Sequence, residues 1–331
     1  LGDVYQSQAL EEQFASYRGR NEIGDCLVAF SGGRDSSYGL HLLKTEFDMR
    51  PVAYTYDWGM VTDLARRNQA RICGRLGVEH IWVSADIKKK RSFIRANVEA
   101  WLRRPSLGTV PLFMAGDKQF FWFANKTMKQ TGIPLMVFCM NNLERTDFKA
   151  GFAGVRPARF DSTNWMLSPL NRLRIAGYYG KDFLLNPRFL NRSLVDTITA
   201  FLSYYFIEKN YVYLFDYLEW HEEEVNDTLI RTYDWEMAPD TSSTWRIGDG
   251  TAPIYNFIYY TVAGFTEYDT FRSNEIREGR RSREDALALV EEENRPRWKS
   301  IREYLQIINA DFDEVIRVVD SIPKLYMEEP G

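Results

Sequence analysis

Cysteine is scarce in this sequence, since its 331 residues contain only Cys26, Cys73 and Cys139. All three lie in or beside apolar segments, and none forms a C-x-x-C pair with another. This pattern argues against a disulfide framework and against a zinc site within the sequence, and it favours a reducing compartment. We therefore expect a cytoplasmic protein.

A long uncharged apolar run is also missing. The most apolar part of the second half, residues 194–218, is interrupted by charged side chains, and its longest uncharged stretch is too short to cross a bilayer. No secretory signal is visible. Because the sequence begins with Leu1 rather than Met, we expect that a leading segment can precede it.

The sequence has no excess of basic charge. Its 42 Lys and Arg residues stand against 46 Asp and Glu residues, which gives a formal net charge of −4, and it has no lysine-rich tail. Nucleic acid is therefore not favoured as the main partner, although a local basic groove stays open. The length suffices for one large domain or two modest ones.

What the sequence does contain is a turn rich in glycine and serine between an apolar strand and an amphipathic helix. The run Cys26–Phe30 predicts a strand that is covered on both faces in a parallel sheet. Two glycines let the backbone approach an anion, the serines add hydroxyl donors, and the helix N-terminus favours negative charge. We therefore predict a phosphate or pyrophosphate cradle. Its residues are Ser31, Gly32, Gly33, Arg34, Asp35, Ser36 and Ser37.

This S-G-G-R-D-S-S turn is neither a Walker A loop, G-x-x-x-x-G-K-[ST], nor a dinucleotide loop, G-x-G-x-x-G. It resembles the pyrophosphate loop of the ATP pyrophosphatase superfamily, whose members split ATP between the α- and β-phosphates and transfer AMP to a substrate oxygen. The resemblance implies that Asp35 helps to hold magnesium and pyrophosphate. It also implies that Arg34 stands where many relatives have lysine.

Strands and helices alternate along the first half of the chain. Further apolar runs predict strands at Val52–Tyr56, Ile81–Val83 and Leu135–Cys139, and a helix is predicted over residues 117–130. Such alternation predicts right-handed βαβ crossovers and an α/β fold with a doubly wound parallel sheet.

Residues that cap helices follow the same scheme. Thr62 is a candidate N-cap and Gly77 a candidate C′ residue of one helix, while Ser282 and Asp311 are candidate helix starts in the second half. The alternation of strands and helices stops near residue 160. We therefore predict a pyrophosphate-loop domain over residues 1–160 and a mainly helical domain, for substrate or partner, over residues 161–331.

In a doubly wound sheet, ligands bind beyond the carboxyl ends of the strands. The phosphate turn is the first loop at such a strand end, and the loop that begins at Asp57 is the second. The superfamily resemblance assigns Tyr56 and Asp57 to the adenine and ribose. A solvated helix cap is the alternative for Asp57. The third loop, residues 141–148, concentrates carboxylates, amides and cations, which indicates a substrate face, and an ordinary solvated connection is its alternative. The substrate candidates at this loop are Asn142, Glu144, which is also a candidate catalytic residue, and Lys149.

Lys118 lies in a further linker of this kind. A cation beside the α-phosphate would offset the charge that builds as AMP is transferred, so Lys118 is a catalytic candidate. A solvent-exposed lysine at a helix start is the alternative.

Two later segments carry arginines, T-W-R-I-G-D-G-T at residues 244–251 and F-R-S-N-E-I-R-E-G at residues 271–279. Glycines beside Asp249 permit a tight exposed turn, and Arg246, Arg272 and Arg277 can pair with carboxylate or phosphate in bidentate geometry. We therefore take these four residues as substrate candidates. A capped helix junction with intramolecular salt bridges is the alternative.

The phosphate turn, the strand ending Y-T-Y-D, the stretch N-N-L-E-R-T-D-F-K and the two arginine segments together resemble the N-acetyl sugar amidotransferase family. These enzymes of surface polysaccharide biosynthesis, such as that of lipopolysaccharide O-antigen or nonulosonic acid, convert the acetamido group of a sugar or nucleotide-sugar to an acetamidino group. The resemblance implies ATP and Mg²⁺ as cofactors and an AMP-forming reaction. Full-length relatives often carry an N-terminal segment with paired cysteines, which leaves a zinc role open.

Ammonia is the second reactant that this family needs. None of the three cysteines lies in a nucleophile-elbow context, and His41, His80 and His221 show no pairing pattern, so we do not expect this chain to hydrolyse glutamine. The resemblance implies a separate glutaminase with a cyclase-like subunit, similar to those of histidine biosynthesis, as the ammonia-supplying partner.

Two other functions share the phosphate loop. A tRNA-modifying enzyme of the thiolation or lysidine type predicts a basic face and, for many thiolases, catalytic cysteines, neither of which is evident in the sequence. A non-catalytic nucleotide-binding module would keep the loop but would not need an elaborate second domain.

Overall fold

Five parallel strands form one sheet in the part of the chain that the computed structural model describes, namely residues 2–114, 116–144, 148–155, 168–207 and 211–327. The strands are β1 Cys26–Ala29, β2 Pro51–Asp57, β3 His80–Ser84, β4 Met136–Phe138 and β5 Tyr211–Tyr213. Their order across the sheet is β3-β2-β1-β4-β5, and every neighbouring pair is parallel. The predicted α/β class with a parallel sheet is confirmed.

The strand order reverses direction at β1. Leu27 pairs with Val52 of β2 on one side and with Met136 of β4 on the other. Ligands of doubly wound sheets bind beyond the carboxyl ends of the two strands that flank such a reversal. The loops after β1 and β4 are therefore the first places to look for a site.

The helices follow the sequence signals closely. In chain order they are α1 Gly2–Ala15, α2 Arg34–Thr45, α3 Asp63–Leu76, α4 Ile87–Arg103, α5 Phe120–Thr131, α6 Phe148–Gly151, α7 Pro169–Leu185, α8 Leu194–Tyr205, α9 Glu222–Tyr233, α10 Ala252–Ala263, α11 Glu267–Arg277, α12 Arg283–Glu293, α13 Trp298–Ile307 and α14 Phe312–Ser321. Thr62, Ser282 and Asp311 each accept a hydrogen bond from the backbone N–H three residues on. Gly77 ends α3 in the left-handed conformation. These four predicted helix boundaries are confirmed.

The chain divides into two compact units that are each discontinuous in sequence. The first unit, which contains the sheet, comprises Leu1–Ala85, Phe120–Glu144 and Glu208–Gly250. The second unit comprises Asp86–Gln119, Arg145–Ile207 and Thr251–Gly331, and its described elements are helical.

The sequence does not predict β5, because it assigns residues 161–331 to a helical domain. In the structure, residues 211–250 belong with the sheet and supply β5 and α9 to it. The predicted boundary near residue 160 falls in residues 156–167, which lie outside the described residues, and it stays a prediction.

The centre of the first unit is apolar. Leu27, Tyr54, Ile133 and Met136 are almost completely buried in one cluster, which extends onto aromatic rings of α5. Within the described ranges, no helix is long and apolar enough to cross a membrane.

Hydrogen bonds through the side chain of Thr55 on β2 connect Phe30, just after β1, with His80 on β3. The Thr55 hydroxyl donates to the Phe30 carbonyl oxygen, so it accepts from Nε2 of His80, 2.8 Å away. Burial lowers the pKa of His80 to about 4 from the ordinary 6.5. The folded protein therefore keeps His80 neutral at pH values where the unfolded chain protonates it.

We predict that His80→Gln makes the protein less sensitive to acid. Between about pH 6.5 and pH 4 the unfolded chain binds the extra proton, so the free energy of unfolding of the wild type falls as the pH decreases through this window. Glutamine keeps an N–H donor and does not titrate. Melting temperatures measured at pH 7.5 and pH 5 should differ less for the variant than for the wild type. The exposed His221→Gln serves as control, and parallel pH profiles of His80→Gln and wild type would contradict the prediction.

Candidate phosphate site at the carboxyl ends of the strands

The turn after β1 has a backbone that only glycine can adopt at one position. Gly32 has a φ of 77°, and a Cβ there would lie 2.7 Å from the Ala65 carbonyl oxygen and 2.7 Å from Cγ of Gln69. The indole Nε1 of Trp235 donates to the Gly32 carbonyl oxygen at 3.2 Å. The turn therefore packs against α3 and is hydrogen-bonded to Trp235.

Serine hydroxyls fix the shape of the turn from within. Oγ of Ser31 and Oγ of Ser36 are 3.1 Å apart, and the backbone N–H of Gly33 donates to Oγ of Ser31 at 3.2 Å. The structure thus brings the predicted cradle residues into one compact loop. These two hydroxyls therefore support the loop from within, and they accept hydrogen bonds from the backbone N–H groups of Ser31 and Gly33.

The helix α2 starts directly from this turn at Arg34. The N-cap residue of this helix is Gly33, which has no side chain that could cap the helix. The first N–H groups of a helix have no intrahelical acceptor, and together with the helix dipole they favour an anion. The geometry of the turn agrees with the predicted phosphate cradle.

Asp35 lies against the loop that follows β4. Nδ2 of Asn141 donates to Oδ1 of Asp35 at 3.2 Å, and Oδ1 of Asn141 accepts from the backbone N–H of Glu144 at 3.2 Å. All three side chains are buried. Asn141 thereby joins two of the three loops that the sequence selects, and Asp35 and Glu144 form a pair of neighbouring carboxyl groups.

The electrostatics of this pair are unfavourable without a cation. Burial raises the pKa of Glu144 well above its usual range, and the negative charge and hydrogen bond of Asp35 raise it further, while Arg246 and Arg34 oppose the rise. Oε1 of Glu144 is buried, finds no hydrogen-bond partner among the described residues, and lies 3.9 Å from Nη2 of Arg34. The pair can hold either one shared proton or a cation.

A magnesium ion suits this donor set. Mg²⁺ is usually held by one or two carboxylates together with phosphate oxygens of a substrate. The described residues contain no cluster of three or more His, Cys, Asp or Glu side chains that could hold a metal by themselves. Asp35 and Glu144 therefore fit a metal that is bound jointly with a phosphate ligand.

The side chain of Arg34 contacts residues far away in sequence. Its Nη1 donates to Oγ1 of Thr244 at 3.0 Å and to the carboxylate of Glu222, and its guanidinium lies 4.7 Å from the ring centre of Trp220. The side chain is buried. Arg34 therefore links the start of α2 to residues 220–244.

Residues 247–250 run beside the loop after β2. The hydroxyl of Thr62 donates to the Ile247 carbonyl oxygen at 3.1 Å, and the N–H of Gly250 donates to the Met60 carbonyl oxygen at 2.9 Å. Asp249 forms an antiparallel bridge with Val61. The predicted substrate candidates Arg246 and Asp249 thus belong to the same unit as the phosphate turn.

Tyr56 and Asp57 are packed inside the first unit. The ring of Tyr56 stacks on Phe123 with centroids 4.9 Å apart, and the Asp57 carboxylate contacts Nη2 of Arg66 at 2.8 Å and the N–H of Gly59 at 2.9 Å. Asp57 is buried, so the alternative of a solvated cap is wrong. The nucleotide role of both residues stays a prediction.

Four other candidates lie in the second unit. Lys149 pairs with the buried Glu267 at 2.6 Å, and Arg277 is exposed at the end of α11. Lys118 is half-exposed, 3.4 Å from Asp117. Arg272 is described below.

Arg272 is enclosed by carboxylates. Its guanidinium contacts Glu275 at 2.8 Å and Glu293 at 2.6 Å, and all three side chains are buried. This arrangement matches the alternative of intramolecular salt bridges. Asn142 lies in the short helical turn that also carries Glu144, and Asp147 lies outside the described residues.

Comparison with protein-family models gives no match, and neither does comparison with curated proteins. Among solved structures, the chain is similar to an NMN synthetase from Francisella tularensis, with 11% identity, a TM-score of 0.40 and 100% of both chains covered. It is also similar to an NH3-dependent NAD synthetase from Campylobacter jejuni subsp. jejuni NCTC 11168 in complex with the nitrate ion. That likeness has 12% identity and a TM-score of 0.30, and it covers 62% of this chain and 96% of the other. At these values the function proposed below rests on the chain's own geometry.

We predict that Gly32→Ala damages the phosphate turn. A Cβ at this position meets the backbone oxygen of Ala65 and is strained at positive φ, so a loss of about 1–3 kcal/mol of stability is expected. The matched control is Gly74→Ala in α3, where a Cβ has open space and should stabilise by up to about 1 kcal/mol. Urea unfolding of both variants tests this. Equal stability of Gly32→Ala and wild type would contradict the described backbone.

We predict that Arg272→Met strongly destabilises the second unit. Removing one partner of a buried ion pair leaves carboxylates without their counter-charge, at a cost of about 3–5 kcal/mol. The exposed Arg277→Met should change stability by less than about 0.5 kcal/mol. Thermal unfolding measures both. An unchanged melting temperature for Arg272→Met would contradict the stabilising role of this buried ion pair.

Proposed function

We propose that this chain is an ATP-dependent ligase of the pyrophosphate-loop type, which cleaves ATP between the α- and β-phosphates and transfers AMP to a substrate oxygen. The observation that carries the proposal is the contact between two loops at the sheet's point of reversal. There, Asp35 of the S-G-G-R-D-S-S turn lies beside Glu144 of the loop after β4, with Asn141 hydrogen-bonded to both. Phosphate cradle and carboxylate pair are the two parts that such a reaction requires.

Magnesium would be held by Asp35 and Glu144 and would supply positive charge to the phosphates. The side chain of Asn141 fixes the orientation of Asp35 through Nδ2 and holds the backbone of Glu144 through Oδ1. The start of α2 at Arg34 takes the leaving pyrophosphate, because the first N–H groups of a helix have no intrahelical acceptor and favour an anion.

The substrate that we propose is the acetamido group of a sugar or nucleotide-sugar. Its carbonyl oxygen attacks the α-phosphorus, an O–P bond forms, and pyrophosphate leaves. Ammonia then attacks the activated carbon, and AMP leaves with the former carbonyl oxygen, so that an acetamidino group remains after loss of a proton. The chain positions the two reactants and excludes water from the activated intermediate. The segments at residues 141–149, 244–251 and 271–279 support this choice, because their sequences resemble the N-acetyl sugar amidotransferases.

The same resemblance supports a role in surface polysaccharide biosynthesis and an ammonia supply from a separate glutaminase with a cyclase-like subunit. The buried cysteines agree with an external source of ammonia. Burial raises the pKa of the Cys73 thiol to about 12, and it raises the pKa values of Cys26 and Cys139 as well. These thiols are not nucleophiles at neutral pH, which also weighs against a thiolation enzyme that needs a catalytic cysteine.

The test is a direct assay of the purified protein with ATP, magnesium, ammonium and a set of acetamido sugars and nucleotide-sugars. We expect AMP and pyrophosphate in equal amounts, together with a product in which NH replaces the acetamido oxygen, detected by mass spectrometry. ADP as the nucleotide product, or AMP without any modified sugar, would overturn the proposed reaction.

We predict that Asp35→Asn and Glu144→Gln each lower the rate of AMP formation by about 100-fold or more, because each removes one carboxylate from the proposed magnesium site. Magnesium should raise the melting temperature of the wild type in the presence of pyrophosphate and should do so much less for either variant. Asp227→Asn, an exposed carboxylate on α9, is the matched control. Full activity of Asp35→Asn would exclude the proposed site.

A further inference from the structure

One stretch of backbone crosses the phosphate turn from a distant part of the sequence. We call residues 244–250 the crossing segment. At one end, Oγ1 of Thr244 accepts a hydrogen bond from Arg34, the first residue of α2, at 3.0 Å. Four residues on, a Cβ added to Gly248 would lie 3.7 Å from the Ser31 carbonyl oxygen. The segment therefore lies against the backbone of the turn at Ser31 and contacts the guanidinium of Arg34, and Arg246 lies midway in sequence between Thr244 and Gly248.

The crossing segment is held firmly on its other side. The N–H of Thr62 donates to the Gly248 carbonyl oxygen at 3.2 Å, and the N–H of Gly250 donates to Met60 at 2.9 Å. A Cβ at Gly250 would come within 2.8 Å of that Met60 oxygen, so the two backbones are in close contact. Arg246 is thus presented from a fixed backbone.

Arg246 itself has an unusual backbone. Its φ is 57°, in the left-handed region that favours glycine and that costs a side chain such as arginine about 1 kcal/mol or more. Glycine occupies two nearby positions, Gly248 and Gly250, but not this one. A strained non-glycine residue at the centre of a ligand loop points to a use for its side chain.

The side chain of Arg246 is restricted by a neighbouring aromatic ring. The guanidinium lies 5.1 Å from the ring centre of Trp245, a buried indole that restricts where it can move. Arg246 is partly exposed.

We propose that Arg246 contacts the phosphates of ATP, so that it is a residue of the nucleotide site and not of the sugar site. This inference rests on the proposed function for the identity of the nucleotide. The geometry behind it is the crossing of the phosphate turn by residues 244–248 with Arg246 at the centre. A guanidinium binds phosphate oxygens in bidentate fashion and would offset the charge that builds on the α-phosphate during AMP transfer. Lys118, which the sequence selects for this task, belongs to the other unit.

The decisive variant is Arg246→Gly, because it removes the guanidinium and at the same time relieves the strained φ. Its melting temperature should equal or exceed that of the wild type. Its dissociation constants for MgATP and for magnesium pyrophosphate, measured by calorimetry without sugar or ammonia, should each rise by about 10- to 100-fold. Arg246→Lys should recover part of both affinities, and Arg246→Asn, which also tolerates this backbone, should behave like Arg246→Gly.

The matched control is Arg231→Gln on α9, an exposed arginine of the same unit, whose affinities should equal those of the wild type. Unchanged affinity of Arg246→Gly for ATP and pyrophosphate, with a raised KM for the acetamido substrate, would overturn the inference and return Arg246 to the sugar site. A lowered melting temperature for both the glycine and the asparagine variants, with nucleotide affinity lost only in proportion to unfolding, would show a structural role and would also overturn it.

These measurements separate the inference from the proposed function. A wild type that binds ATP but never forms AMP would overturn the proposed function, while the affinities of the Arg246 variants would still decide the inference. A wild type that binds neither MgATP nor magnesium pyrophosphate would overturn both.

Discussion

Two carboxyl groups are buried side by side where the sheet reverses direction, and the structure around them depends on how this charge is offset. Asp35 and Glu144 lie on separate loops that Asn141 joins by hydrogen bonds. Taking two carboxylates out of water and placing them together is unfavourable, which is why the pKa of Glu144 is raised. The charges of Arg34 and Arg246 oppose that rise.

Arg34 is one of the two arginines whose positive charge offsets this carboxyl pair. Arg34 is buried and donates to Glu222 and Thr244, so its charge is largely committed to the chain itself. That commitment connects α2 with residues 220–244, and Trp235 adds a second connection through its hydrogen bond to Gly32. The conformation of the phosphate turn therefore depends both on its own glycines and on contacts with the side chains of Glu222, Trp235 and Thr244.

The sequence was sufficient for the parts of the fold that local signals encode. The first four strands are short apolar runs, and Thr62 and Gly77 cap α3 through contacts with residues three or four positions away, so their positions follow from the nearby sequence. The strand β5 is different. It has only three residues, Tyr211–Tyr213, in an aromatic stretch between helices, and its pairing with β4 is decided by packing across more than seventy residues of chain. Long-range pairing of this kind leaves no periodic pattern to read.

The same limit applies to the candidate site. The loop residues Asp35 and Glu144 could be selected because they follow predicted strands, whereas the contact of Ile247 with Thr62, 185 residues away, could not, because it depends on where residues 244–250 pack after the chain has folded. Two features of the sequence were nevertheless available in advance. Arg34 has a long side chain with a planar head that pairs well with carboxylates, and the glycines at 248 and 250 allow two backbones to touch. Arg34 donates to Glu222 and also lies 3.7 Å from Asp35 and 3.9 Å from Glu144, so its position, like that of Arg246 on the crossing segment, follows only from the folded chain.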